Sequence, residues 1–384
     1  MVWLKRNTRR TLGIVAATGA VLALAACGQG ESAAQGSANG KTGDREARYK
    51  RVIEDPHPKP ADVVWAAGAP SGVARADDGS LLLTYDAGNV EDDEGPAATA
   101  WRIVAPDGRM VAEDAEHTDA EAARVQFRGG RGGFVRVPPG EGSDGVYALD
   151  VQGKRHEVTV KEKALATRAG DVLLTESEPT LVYRPGTHTA APPVGVPDDA
   201  HRLAVDERGT TWSLVQPLTE EPNSVAWRGG GNPEGSTRVL PKPYVGGKIA
   251  ARGGTAAVSL IKGERTRGLL VTTDGGADWR TVTGGGIPWQ DLKGPSELLT
   301  LEALSDGRLL VGEDRGRLWL ADDPSNRGFH PLKTPKKFTS ITVHGTTLYG
   351  IVDATTSTYD LVDGEGLWTS DDGGEKWTRF GGHR

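Results

Sequence analysis

The 384-residue chain carries 45 Lys and Arg against 52 Asp and Glu, a formal net charge of −7, and one cysteine. The acidic balance argues against a nucleic-acid partner. A single thiol excludes an internal disulfide framework, so the folded part must rest on a packed core.

Lys5, Arg6, Arg9 and Arg10 give the chain a basic start, no acidic residue precedes Glu31, and 12–26 is an apolar run. The run is short for a permanent bilayer span, which takes about 20 residues. Basic-then-apolar order is the layout of a secretory signal. It closes on Leu24-Ala25-Ala26-Cys27, which resembles the lipobox of bacterial lipoproteins. The resemblance implies cleavage between Ala26 and Cys27, a diacylglyceryl group on the Cys27 sulfur, and attachment to the outer face of the cell membrane. Two or more acyl chains anchor stably where one does not. An uncleaved membrane anchor with an incidental cysteine is the alternative. Arg9-Arg10, followed by Thr11 and Leu12, is loosely similar to a twin-arginine export signal. Removing residues 1–26 leaves the mature chain more acidic still.

Residues 27–60 read as a lipidated, disordered tether. Gly, Ser, Ala and Gln come first, then mixed charge, then Asp55-Pro56-His57-Pro58-Lys59-Pro60. Few apolar residues are present to offset ordering entropy, and the Pro-rich end is the stiffer one.

From 61 to 384 the pattern is all-β. The chain's 53 glycines and 23 prolines supply turns, and helix-period stretches are absent. A Gly-containing turn leads into an apolar strand at Gly79, Gly133, Gly170, Gly209, Gly254, Gly307 and Gly345. A repeat of about 40 to 50 residues built from short strands is the signature of propeller blades. The expected fold is a β-propeller of seven four-stranded blades, acting as a monomer.

A second repeat lies near the C-terminus. Thr272, Asp274, Gly276 and Trp279 recur as Ser370, Asp372, Gly374 and Trp377, each after a Gly-Leu strand. Between them, 318–325 is a worn copy holding Asp323, with Phe329 close to the tryptophan position. The two full copies resemble the Asp-box (BNR) repeat, Ser/Thr-x-Asp-x-Gly-x-x-Trp, of sialidase-like and photosystem II assembly factor-like propellers. These residues read as structural. Asp accepts hydrogen bonds within its own turn, Gly permits positive φ, and Trp packs a large face between sheets. Propellers often complete one blade with strands from both chain ends. Val63-Val64-Trp65-Ala66 beside 376–380 is the candidate closure.

Alternation of strand direction places first and third connections on one face of the ring. The Gly turns and Asp-boxes fall there and are short. Second connections fall on the other face, at 86–98, 216–224, 262–267 and 353–358, and read as long and irregular. Binding is expected on that face, since variable loops on a rigid scaffold carry function. Glu91-Asp92-Asp93-Glu94, in the first of these loops, reads as a solvated charge run.

No catalytic residue, metal site or cofactor is assigned. The eight histidines form no metal-binding pair, and no nucleophile elbow or phosphate-binding loop occurs. His156 and His344 read as ordinary strand residues. Sialidase-like glycoside hydrolysis is the alternative function. It is carried by Trp101-Arg102-Ile103-Val104, which lacks the proline of the sialidase Arg motif, and by a faint nucleophile-like segment around Tyr359. The reading reached from the residues is a membrane-anchored binding or assembly module for a protein or glycan.

Overall fold

The computed structural model describes residues 38–88, 95–119, 126–137, 145–174, 180–217, 221–229, 232–292, 300–313, 316–352 and 366–381. Ala26, Cys27, Glu91 to Glu94 and Tyr359 therefore lie outside the described residues. Residues 44–384 make one compact unit. Of residues 1–43, only 38–43 are described, as the first residues of a helix.

Seven four-stranded sheets follow one another along the chain, at 72–119, 126–157, 159–191, 200–239, 245–282, 300–331 and 340–379. Each is a blade. Their innermost strands are Gly72–Arg75, Gln126–Gly130, Val172–Leu174, Ala200–Val205, Val245–Arg252, Thr300–Ala303 and Ser340–His344. Each packs beside the innermost strands of the two neighbouring blades, from blade one round to blade seven. Pairing within six blades is antiparallel throughout. Blade three takes its outer strand, Thr159–Val160, in parallel with Thr189–Ala191. There the Gly170 turn precedes the first strand of the sheet, whereas the other Gly turns join a blade's first two strands.

Blade-on-blade packing explains the apolar runs. The second strand of a blade is covered on both faces, so its residues need not alternate. Thr211–Val215 is buried at every position, and Leu309, Leu310 and Val311 are fully enclosed. Each such leucine contributes about 1.5–3 kcal/mol by leaving water. Close approach sets the small residues: a Cβ on Gly129 in blade two would sit 1.8 Å from the Arg75 carbonyl oxygen of blade one. Between blades four and five, Trp212 and Trp227 stack at 5.5 Å, and Trp279 meets Trp212 edge-on at 6.0 Å.

The ring does not share a strand between its ends. Blade one takes all four strands from 72–119 and blade seven all four from 340–379. Val63-Val64-Trp65-Ala66, expected as a closing strand, instead lies in helix α2 (Pro60–Ala67). Pro60 occupies the first turn, where its missing N–H is harmless. Gly68 at φ 73° ends the helix by donating its N–H to the Val64 carbonyl. Val63 and Ala67, four apart, then share one buried face.

The expected tether also differs from the structure, which has helix α1 over Ala38–Glu54. Its few apolar residues are spaced as a helix face: Tyr49, Val52 and Ile53 meet one cluster together with Val63 and Ala67 of α2. Leu81, Leu83 and Tyr85 of blade one and Tyr349, Ile351 and Leu367 of blade seven complete that cluster. The Tyr49 hydroxyl donates to the Gly88 carbonyl at 2.7 Å. Arg48 of α1 pairs with Asp62 of α2 at 3.0 Å and lies over the Trp65 ring at 3.8 Å. α2 thus packs on strands of blade one, and both helices join the buried cluster that runs from blade one into blade seven.

Ile53 is 7% exposed at this seam. Ile53→Ala is expected to destabilise the folded protein by about 2–5 kcal/mol, the usual range for emptying such a site. Urea denaturation measures this, and an unchanged midpoint would show that α1 rests on the ring without holding it.

Candidate functional site

The first-and-third-connection face is tied down by its own turns. The Thr272 hydroxyl donates to Asp274 Oδ1 at 2.8 Å and accepts the Gly276 N–H at 3.0 Å. The Asp278 N–H donates to Asp274 at 3.0 Å. Ser370, Asp372, Gly374 and Lys376 repeat the pattern at 2.8, 2.7 and 2.9 Å. Trp279 donates its indole N–H to the Gly276 carbonyl at 3.1 Å, while Trp377 packs against Phe338 at 4.6 Å. The Asp278 amide holds the Asp274 carboxyl below the usual carboxylate range. Asp372 is lowered too, its turn's hydrogen bonds outweighing partial burial. In the worn copy, Ala321 replaces the hydroxyl residue. Asn326, at φ 52° and fully buried, donates to the Gly307 carbonyl at 2.9 Å and accepts the Leu309 N–H at 2.8 Å. All three aspartates are thus engaged within turns.

On the opposite face the connections differ in length. Second connections run through 89–95, 138–146, 216–223 and 353–365. The expectation for 262–267 fails: Lys262 pairs with Arg265, so the strands Thr255–Lys262 and Arg265–Thr272 meet in a tight hairpin. Gly263, at φ 66°, makes the reversal, and the Gly-Glu pair at its tip is a hairpin signal that the surrounding charges obscured.

The innermost strands carry the polar residues that reading by motif missed. The seven innermost strands together carry five cations, Arg75, Arg128, Arg202, Lys248 and Arg252, and one carboxylate, Glu302. Glu207, on the first connection of blade four, reaches Arg252 at 2.6 Å. Arg75 donates to the Thr347 hydroxyl at 3.1 Å, joining blade one to blade seven, and its Nε is buried without an acceptor. Burial raises the Glu302 pKa against the opposing pull of Arg128, Lys248 and Arg252, which come from blades two and five. Burial, then Arg202, lowers Lys248, with Glu302 opposing. His344 is lowered by burial, then by Arg75 and Arg252. His201 is lowered by burial, then by Arg202.

Two cavities lie elsewhere. One of about 30 Å³ sits between blades two and three, beside Arg128, Asp150, Tyr183 and His188, with room for about one water. Tyr183 bonds His188 Nδ1 at 2.8 Å, His156 stacks on His188 at 4.6 Å, and His156 meets Asp150 at 3.4 Å. Burial pushes the Tyr183 hydroxyl up to about 12. The other, about 250 Å³, is open between α1 and α2 and is lined by Arg48, Arg51 and Asp62 among others. Arg102, the sialidase-like arginine, lies on the third strand of blade one. It is bound to Glu113 across the sheet at 2.8 Å.

No protein-family model matches the chain, and no curated protein matches it. Its fold is similar to the β-propeller domain of the Trilobed protease from Pyrococcus furiosus, described as having an open velcro topology. There the TM-score is 0.50 and the identity 8%, over 82% of this chain and 96% of that one. Lower scores relate it to a puromycin-hydrolyzing peptidase of Mycobacterium tuberculosis (0.49, 15% identity, 85% of this chain) and to BamB from Moraxella catarrhalis (0.37, 11%, 73% of this chain and 81% of that one). The chain spans 55% of the peptidase's length. The likeness to the Trilobed protease domain shows the β-propeller fold, and the chain's own seven sheets give the blade count.

His330 links the last two blades on the Asp-turn face, with Nδ1 2.7 Å from the Asp322 carboxylate and Nε2 3.1 Å from that of Glu375. The bond to Asp322, with Glu375 adding and partial burial opposing, raises its pKa. Its stabilisation is complete below about pH 6.5, the ordinary imidazole value, and fades as pH rises through the raised value. The Tm gap between the protein and His330→Ala should be wider at about pH 6 than at about pH 9. Equal gaps would show that only packing is lost.

Proposed function

We propose that the chain is a binding or assembly module, a monomeric propeller held at the outer face of the cell membrane by lipid on Cys27, which docks a protein or glycan on its second-connection face. One observation carries this reading. The Asp-turn face is closed by short, internally hydrogen-bonded turns, whereas connections on the other face range from the tight Lys262–Arg265 hairpin to the span 353–365. Rigid strands that hold connections of unequal length are a scaffold for recognition. The anchor is supported by the basic start, the apolar run and the lone cysteine after Leu24-Ala25-Ala26.

Pull-down from membranes with the lipidated protein, run beside a glycan array, tests the docking face. Replacing 89–94, 138–144, 218–220 and 353–360 with alanine, one segment at a time, is expected to abolish capture in at least one variant while the Tm holds. Capture unchanged in all four would contradict the reading. Cys27→Ser is expected to release the protein or block its maturation, and unchanged membrane retention would reject the anchor.

A further inference from the structure

Blade three takes its outer strand out of turn. The chain leaves the outer strand of blade two at Glu157, and Thr159–Val160 already lies parallel to Thr189–Ala191. It reaches the innermost strand, Val172–Leu174, only afterwards. The segment 159–165 is thus a strap along the outer edge of blade three. The Thr159 and Lys161 N–H groups donate to the His188 and Ala190 carbonyls, each at 2.8 Å. Leu165 donates to the Pro192 carbonyl at 2.8 Å and accepts from the Val194 N–H at 3.0 Å.

Two imidazoles sit at the root of this strap. His156, three residues before it, stacks on His188 with ring centroids 4.6 Å apart and planes 5° apart. His188 supplies the strap's first acceptor from a backbone at φ 45°, a left-handed conformation that residues with side chains seldom adopt. Its Nδ1 shares a hydrogen bond with the Tyr183 hydroxyl at 2.8 Å, and His156 Nε2 lies 3.4 Å from Asp150. Ring and strap are therefore coupled through one constrained residue. A single proton on the stack has Asp150 as its counter-charge. Two protons set like charges face to face against that one carboxylate. The other groups around the pair do not supply the missing negative charge. Burial pushes the Tyr183 hydroxyl up to about 12, so it stays neutral. Arg155 and Glu157, the strand neighbours of His156, alternate to the opposite side, where Arg155 lies over the Tyr147 ring at 3.9 Å. Lys154 of the Asp150 turn is cationic, as are Arg128 and Arg131, which line the small cavity beside His188. Burial, then His156, lowers the His188 pKa.

We propose that the His156–His188 stack is an acid-sensitive clasp: double protonation drives the rings apart, releases Thr159 from the His188 carbonyl and bares the outer edge of blade three at Thr189–Ala191. An unpaired edge of this kind is a template for an added strand. The clasp is complete above about pH 6.5, the ordinary imidazole value, and is lost as pH falls through the lowered His188 value. It uses none of the four connections assigned to docking, so either reading can fail without the other.

The test is amide hydrogen exchange on the full folded chain at about pH 7.5 and about pH 5, on either side of the ordinary imidazole value, corrected for the intrinsic pH dependence of exchange. Protection of the Thr159 and Lys161 amides is expected to fall about five- to tenfold at the lower pH, the weight of two like charges about 4 Å apart in a well-solvated setting. Arg265–Thr272 of blade five is expected to stay protected. His156→Phe keeps a stacking face without a proton, and His188→Asn suits the left-handed backbone. Each is expected to hold the strap's protection at both pH values. Where a variant fails to fold, the comparison on the unaltered chain still decides. Equal protection of Thr159 and Lys161 at both pH values would overturn the proposal. So would an undiminished acid loss in His156→Phe, which would assign the effect to Asp150, or a loss that spreads equally to Arg265–Thr272.

Discussion

A ring of stacked sheets has as many interfaces as blades, and one of them joins the two ends of the chain. In this protein that interface has no shared strand. Among the described residues every hydrogen-bonded ladder stays inside its own blade, so blades one and seven share no strand. Val52 and Ile53 of α1 and Val63 and Ala67 of α2 share one buried cluster with Leu83 and Tyr85 of blade one and Tyr349 and Ile351 of blade seven. Arg75 and Thr347 add one polar contact across the same seam. The remaining interfaces need no such filler, because consecutive blades are held together by the chain itself.

The rest of the architecture follows from keeping this ring closed. Second strands such as Leu81–Gly88 and Thr255–Lys262 are apolar on both faces because each blade is sandwiched. Turns on one face are made rigid by hydroxyl–aspartate pairs at 2.8 Å in two blades and by Asn326 in the blade between them. The innermost strands approach closely enough for Gly129 to touch the backbone at Arg75. The same scaffold holds the uneven connections on one face.

Much of the scaffold was legible in the residues. The Gly turns from Gly79 to Gly345 mark the blades, and Thr272-x-Asp274 with Ser370-x-Asp372 marks the third connections, because each is a local device whose partners lie within a few residues. What was not legible was tertiary. Val63-Val64-Trp65-Ala66 has strand composition, and its helix depends on Pro60, Gly68 and the blade-one surface. The 27–60 segment is poor in apolar residues overall, yet Tyr49, Val52 and Ile53 stand at helical spacing, a signal that average composition dilutes. The cations of the innermost strands were hidden because they sit some tens of residues apart on strands too short to form a motif. Counting back from each Gly turn places Arg75, Arg128, Arg202, Arg252 and Glu302 on the innermost strands, and that comparison across repeats would have found them.

The most direct test of ring closure by helices is hydrogen exchange on the intact chain and on a chain shortened to begin at residue 69. Removing α1 and α2 is predicted to speed amide exchange in Leu81–Gly88 and Thr347–Val352, which flank the seam, while Thr255–Lys262, remote from it in blade five, stays protected. Protection unchanged at Leu81–Gly88 and Thr347–Val352 would contradict the account and leave the helices as a decoration on a ring that closes without them.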